Sequence, residues 1–150
     1  PCGGAIEACE MKTLNPFLVL AVVFLFQGAP FLRAQSMIDL SKEEVAALVK
    51  AEHKEFRRDN SVVNQRFNYL KYVNGLRTRT WIIYFTQEDK CRSTKLICDY
   101  DEFDEVLEEL NELYENAGDS QWYYRKNNDT IGVTLTRQEW YFTVREARIK

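Results

Sequence analysis

Residues 65–86 read QRFNYLKYVNGLRTRTWIIYFT, and this stretch decides the fold class. Its two arms, Gln65 to Val73 and Leu76 to Thr86, are rich in aromatic and β-branched residues, which suit a pleated, half-buried surface. They are joined by Asn74-Gly75, a strong signal for a two-residue hairpin turn because both residue types tolerate positive φ. The spacing predicts a long antiparallel hairpin. In its second arm Trp81, Ile83 and Phe85 fall on one face while Ile82 and Tyr84 fall on the other. Both faces are therefore expected to be at least partly covered, one of them by a helix.

Upstream, Leu40 to Arg58 reads as that helix. Ser41 and Glu44 have the spacing of a capping box, Leu40 and Val45 that of a hydrophobic staple, and Val45, Leu48, Val49 and Phe56 form one apolar stripe. Asp59-Asn60 ends it. Downstream, a second helix is expected from Asp101 to Asn116, where Phe103, Val106, Leu107, Leu110, Leu113 and Tyr114 keep helical spacing and Gly118 supplies a stop. Strands are predicted at Gln121 to Lys126, Ile131 to Leu135 and Glu139 to Glu146, the first two flanking the turn Asn127-Asn128-Asp129. The resulting order implies an α+β fold: an antiparallel sheet with a long N-terminal helix packed on it, plus a second, acidic amphipathic helix.

Length and composition admit one domain in 150 residues, with 45% apolar residues and a net charge of -3. Charge is unevenly placed. From Asp99 to Asp119 there are ten Asp and Glu and no Lys or Arg, whereas Met37 to Cys98 carries twelve basic against eight acidic residues. No sequence repeat is visible.

Met11 to Ser36 reads as a secretory signal peptide: Lys12 gives a positive start, Phe17 to Phe26 is an apolar run of ten residues, too short to span a bilayer, and Ala34-x-Ser36 is a small-x-small cleavage site. Cutting after Ala34 is the main alternative. Residues 1–10 read as a non-native or translated extension, and residues 37–150 as a single secreted, extracellular domain. Removing the leader discards Cys2 and Cys9 and leaves Cys91 and Cys98, an even pair that an exported chain is expected to oxidise to a disulfide closing a small loop or pinning neighbouring strands. Asn128-Asp129-Thr130 is a glycosylation sequon in a predicted turn, making Asn128 the candidate acceptor.

Catalytic chemistry finds little footing. His53 is the single histidine and sits at the border of the first helix's apolar stripe, where a structural role is expected, so neither a Ser/His/Asp nor a Cys/His set assembles. The carboxylates of the second helix read as a solvated face. Asp99-x-Asp101-x-x-Asp104 lacks the glycine and late glutamate of a calcium loop, and no phosphate loop occurs, so no metal or cofactor is expected. Arg66, Lys71, Arg77 and Arg79 read as a solvated strand face and not as a nucleic-acid track.

At the hairpin the chain resembles the cystatin family of papain-like cysteine protease inhibitors. Lys71-Tyr72-Val73-Asn74-Gly75 stands where that family carries Gln-x-Val-x-Gly; ahead of it EEVAALVKAEHKEFRRDN resembles the family's helix, and after it WIIYFTQEDKCRSTKLIC resembles the strand and short disulfide loop of secreted members. The resemblance covers residues 40–98. It implies inhibition of a papain-like protease by wedge insertion of residues 71–75, with Trp122 in Gln121-Trp122 as counterpart of the family's second-loop tryptophan. Departures are the Lys in place of Gln, the absent Pro before Trp122, the lack of a glycine ahead of the helix, and the extra acidic helix. The reading that does not use the resemblance is a noncatalytic secreted protein binding a basic protein partner through the acidic helix face.

Overall fold

The computed structural model describes residues 36–61 and 67–149, so residues 1–10 and all of the leader except Ser36 lie outside the described residues, as does Arg66. The described residues form eight antiparallel strands in one sheet and two α-helices, an α+β architecture. Helix α1 (Lys42–Glu52) precedes strands β1 (Phe56–Arg58), β2 (Tyr69–Asn74), β3 (Arg79–Phe85) and β4 (Cys91–Asp99). A 3-10 turn (Tyr100–Glu102) leads into α2 (Phe103–Leu113), followed by β5 (Glu115–Gly118), β6 (Gln121–Lys126), β7 (Asp129–Arg137) and β8 (Tyr141–Arg148). The strand order β1-β2-β3-β4-β8-β7-β6-β5 is two four-strand meanders joined through β4 and β8. Each meander is preceded by its own helix.

The capping box forms as expected: the Glu44 amide donates to Ser41 Oγ at 3.2 Å and the Ser41 amide to Glu44 Oε2 at 2.7 Å. The helix is shorter than its periodicity predicted. His53 caps it through its amide to the Val49 carbonyl at 3.0 Å, and Phe56–Arg58 leave to pair with Tyr72–Asn74. Covering the free edge of β2 outweighs another helical turn, because an uncovered edge leaves a row of unpaired backbone groups. Phe56 still reaches the core side, 5.5 Å from the ring of Trp81. Helix α2 is likewise trimmed. Glu115–Gly118 become edge strand β5, and Gly118, at φ 94, serves the β5–β6 turn and not a helix stop.

The largest difference concerns residues 91–98, expected to be a disulfide loop. They are the body of β4, paired on one side with β3 and on the other with β8. Cys91 and Cys98 are free and buried near opposite ends of this one strand. Seven residue steps of extended chain place their Cα atoms roughly 23 Å apart, against the about 7 Å limit between Cα atoms that a disulfide tolerates. The bridge between them is excluded by this geometry.

Register places Trp81, Leu96, Val144 and Leu135 in one row and Ile83, Thr94, Glu146 and Val133 in the next, all on the sheet's inner face. Both helices lie against that face. Val45 and Val49 of α1 pack with Leu70, Tyr72, Ile83 and Phe85; Val106 and Leu110 of α2 pack with Cys98, Trp122, Val133 and Phe142. Among the described residues no helix is long and apolar enough to cross a membrane.

Candidate functional site

The residues picked out by the hairpin motif are not gathered at a tip. Tyr72 points inward and is 5% exposed beneath α1. Lys71 pairs with Asp59 at 2.8 Å, which, with the Ser61 amide, holds the Asp59 carboxyl well below the usual range. Val73 pairs with Thr80 and Asn74 with Phe56. The turn itself is longer than two residues. Asn74 organises it, its Oδ1 accepting the Arg79 amide at 3.0 Å and its Nδ2 donating to Thr78 Oγ1 at 2.9 Å. The left-handed position falls on Arg77, φ 61, and not on Gly75, where an added Cβ would meet nothing within 4 Å. Leu76 is the residue offered to solvent, 82% exposed.

Trp122 lies in β6, separated from β2 by four intervening strands, 2% exposed, its Nε1 donating to Asn111 Oδ1 of α2 at 2.9 Å. The structure therefore does not bring residues 71–75 and Trp122 together, and it buries the two aromatics assigned to the wedge. Asn128 is exposed in the two-residue turn between β6 and β7, whose left-handed residue is Asn127, φ 56. His53 stacks edge-on to Trp81 at 5.0 Å. Arg79 is not solvated as its strand face suggested: it turns inward to Glu102 (2.6 Å) and Glu105 (2.9 Å) of the 3-10 turn and α2.

Between the two helices the inner face is left uncovered, and there a cavity of about 250 Å³ opens. Its floor is Trp81, Thr94, Leu96, Val144 and Glu146; its walls are Phe56 and His53 on one side and Val106, Leu110, Leu113 and Tyr114 on the other, with Ser36, Met37, Arg79 and Glu109 also lining it. Glu146 is its most distinctive group. The Tyr114 hydroxyl donates to its Oε1 at 2.9 Å, and Tyr124 and Thr94 also bond its carboxyl. Tyr114 and Tyr124 stack at 5.1 Å behind it. No cationic side chain among the described residues forms an ion pair with it; Lys126 donates to the carbonyls of Ser36 and Ile38 and acts on the carboxylate only through space. Burial raises its pKa, and the hydroxyl donors only partly oppose that rise. The phenols of Tyr114 and Tyr124 are pushed up by burial and by the neighbouring carboxylate.

Sequence reading passed over Glu146 because a charged residue closing a strand reads as solvated. The signal was nonetheless present: Phe142, Val144 and Glu146 keep strict alternation, so the carboxylate continues an apolar row. The thiols offer no alternative chemistry, since burial pushes both Cys91 and Cys98 up to about 12 and keeps them protonated. Among the described residues no group of three or more His, Cys, Asp or Glu is placed to hold a metal ion. No known protein family, curated protein or solved structure matches the chain.

Proposed function

We propose that the chain is an exported protein that acts by binding and not by catalysis, with the outer face of α2 as its contact for a basic protein partner. The observation that carries this is the exposure of Asp101, Asp104, Glu108, Glu112 and Glu115 along one helix and its flanks, none of them paired with Arg79, which engages Glu102, Glu105 and Glu109. Such a face steers and orients a cationic partner. Titrating a fluorescent arginine-rich peptide at low and high salt tests it. Binding that weakens steeply with salt and is lost in the double variant Glu108→Lys/Glu112→Lys supports the reading, and binding indifferent to both sinks it. Export in a glycosylating pathway would place a glycan on Asn128, read as a mass shift removed by glycosidase.

A second reading, the cystatin-like inhibitor, draws support from α1 lying on an antiparallel meander and from the exposed Leu76 at the β2–β3 loop. In this form the wedge is the loop Asn74 to Thr78 alone, without Trp122. Absence of papain inhibition by folded protein at micromolar concentration removes it.

A further inference from the structure

We propose that the cavity between the helices is a binding site for a small organic ammonium ion, its charge on Glu146 and its apolar body against Trp81 and Phe56. Three independent features of the cavity converge on that chemistry.

The first is charge. Of the carboxylates that line the cavity, Glu109 stands 3.7 Å from Arg79 and Glu55 3.6 Å from the imidazole of His53, whereas Glu146 has hydroxyl hydrogen-bond partners and feels the charge of Lys126 only through space. A half-buried carboxylate with no cation in contact carries a desolvation cost that its hydroxyl partners only partly offset. A bound ammonium group offsets that cost and keeps the carboxylate ionised, whereas an anionic guest adds repulsion. Hydroxyls from Tyr114, Tyr124 and Thr94 fix the carboxylate's orientation in advance, so a guest finds it already aimed.

The second is the wall. Phe56 and Trp81 are 5.5 Å apart and tilted, with His53 edge-on to Trp81, forming an aromatic corner beside Leu96 and Val144. Rings in this arrangement take a flat apolar body, and their faces attract a cation. The third is size. A cavity of about 250 Å³ lies just below the roughly 300–1,000 Å³ of sites for drug-sized ligands, which suits a guest with one ring or a short alkyl chain. The acidic face of α2 is separate from this site, so the two proposals stand or fall independently.

The test is titration of the purified chain with a series from butylamine to phenethylamine and tryptamine, followed by calorimetry and Trp fluorescence, with 2-phenylethanol as the neutral counterpart of phenethylamine. Saturable binding of at least one amine is expected, weakened by at least about tenfold both for the neutral counterpart and in Glu146→Gln. No saturable binding by any amine overturns the proposal. So does 2-phenylethanol binding as tightly as phenethylamine, or Glu146→Gln binding amines unchanged. The alcohol comparison needs no variant and decides the matter if Glu146→Gln fails to fold.

Discussion

The half built from α1 and β1–β4 and the half built from α2 and β5–β8 follow one plan: a helix, then a four-strand meander ending on the central pair β4 and β8. Each helix buries an i, i+4 pair, Val45 with Val49 and Val106 with Leu110. Each half also grips the segment leading into the other half's helix. Thr78 and Arg79 at the β2–β3 turn bind Glu102 ahead of α2, and Lys126 at the β6–β7 turn binds the carbonyls of Ser36 and Ile38 ahead of α1. The two grips differ in kind, one an ion pair and the other a cation on backbone carbonyls.

The halves differ most at the centre. Exchanging them about the Leu96–Val144 pair carries Cys98–Phe142 onto Glu146–Thr94. The first pair is apolar and fully covered by α2; the second is polar, and the cavity opens over it. A shared architecture thus closes one copy of a position as core and keeps the other as a site. Neither copy is visible as a sequence repeat, because only the pattern of inward positions is shared.

If the halves form one cooperative unit, core damage in either lowers a single transition. Phe142→Ala and Phe85→Ala, both at buried positions, are each expected to cost about 3–5 kcal/mol, measured by urea unfolding followed by both fluorescence and circular dichroism. Two separate transitions would break the comparison. The grips come next. Arg79→Ala strands Glu102 and is expected to cost about 2 kcal/mol, against about 1 kcal/mol for Lys126→Ala, whose carbonyl partners are neutral. The Arg79 effect should shrink in high salt while the Lys126 effect changes little; equal salt response would remove the distinction.

A smaller effect tests the polar pair. Glu146 has a raised pKa, so between the ordinary carboxylate range and that raised value the folded state holds a proton that the unfolded state lacks. Stability from this group is therefore present at the acidic end of that window and lost as pH rises through it. Glu102 acts in the opposite sense: its lowered pKa gives stability above the ordinary range that is lost on acidification. Thermal melts over about pH 5 to 8 should show Glu146→Gln with the flatter profile above the ordinary carboxylate range, by at most about 1.4 kcal/mol per pH unit for one proton. Parallel profiles would place Glu146 in a hydrated setting.

Local chemistry made parts of this fold legible. The Ser41–Glu44 box, the inward row Trp81, Ile83, Phe85 and the helical spacing of Val106 and Leu110 each settle their element without distant partners. What was not legible depends on the sheet as a whole. Phe56–Arg58 and Glu115–Gly118 become strands because two edges need covering, and residues 91–98 become the central strand because β8, some fifty positions later, pairs with it. Two cysteines suggested a loop there; the alternation of Thr94, Leu96 and Cys98 favoured a strand. The site followed the same division, with Trp81 noticed as an inward aromatic and Glu146 unseen until β8 was placed beside β4.

Ser36 gives the fold a stake in proteolysis. Its hydroxyl meets Tyr124 at 2.6 Å and its carbonyl meets Lys126 at 2.9 Å, while Met37 is 2% exposed. A processing protease that left Met37 first would strip both contacts and put a charged terminus on a core residue. One that cut after Ala34 would leave them whole. If the chain is exported and processed here, the fold favours the cut after Ala34, and sequencing the N-terminus of the secreted chain would show which bond is cleaved.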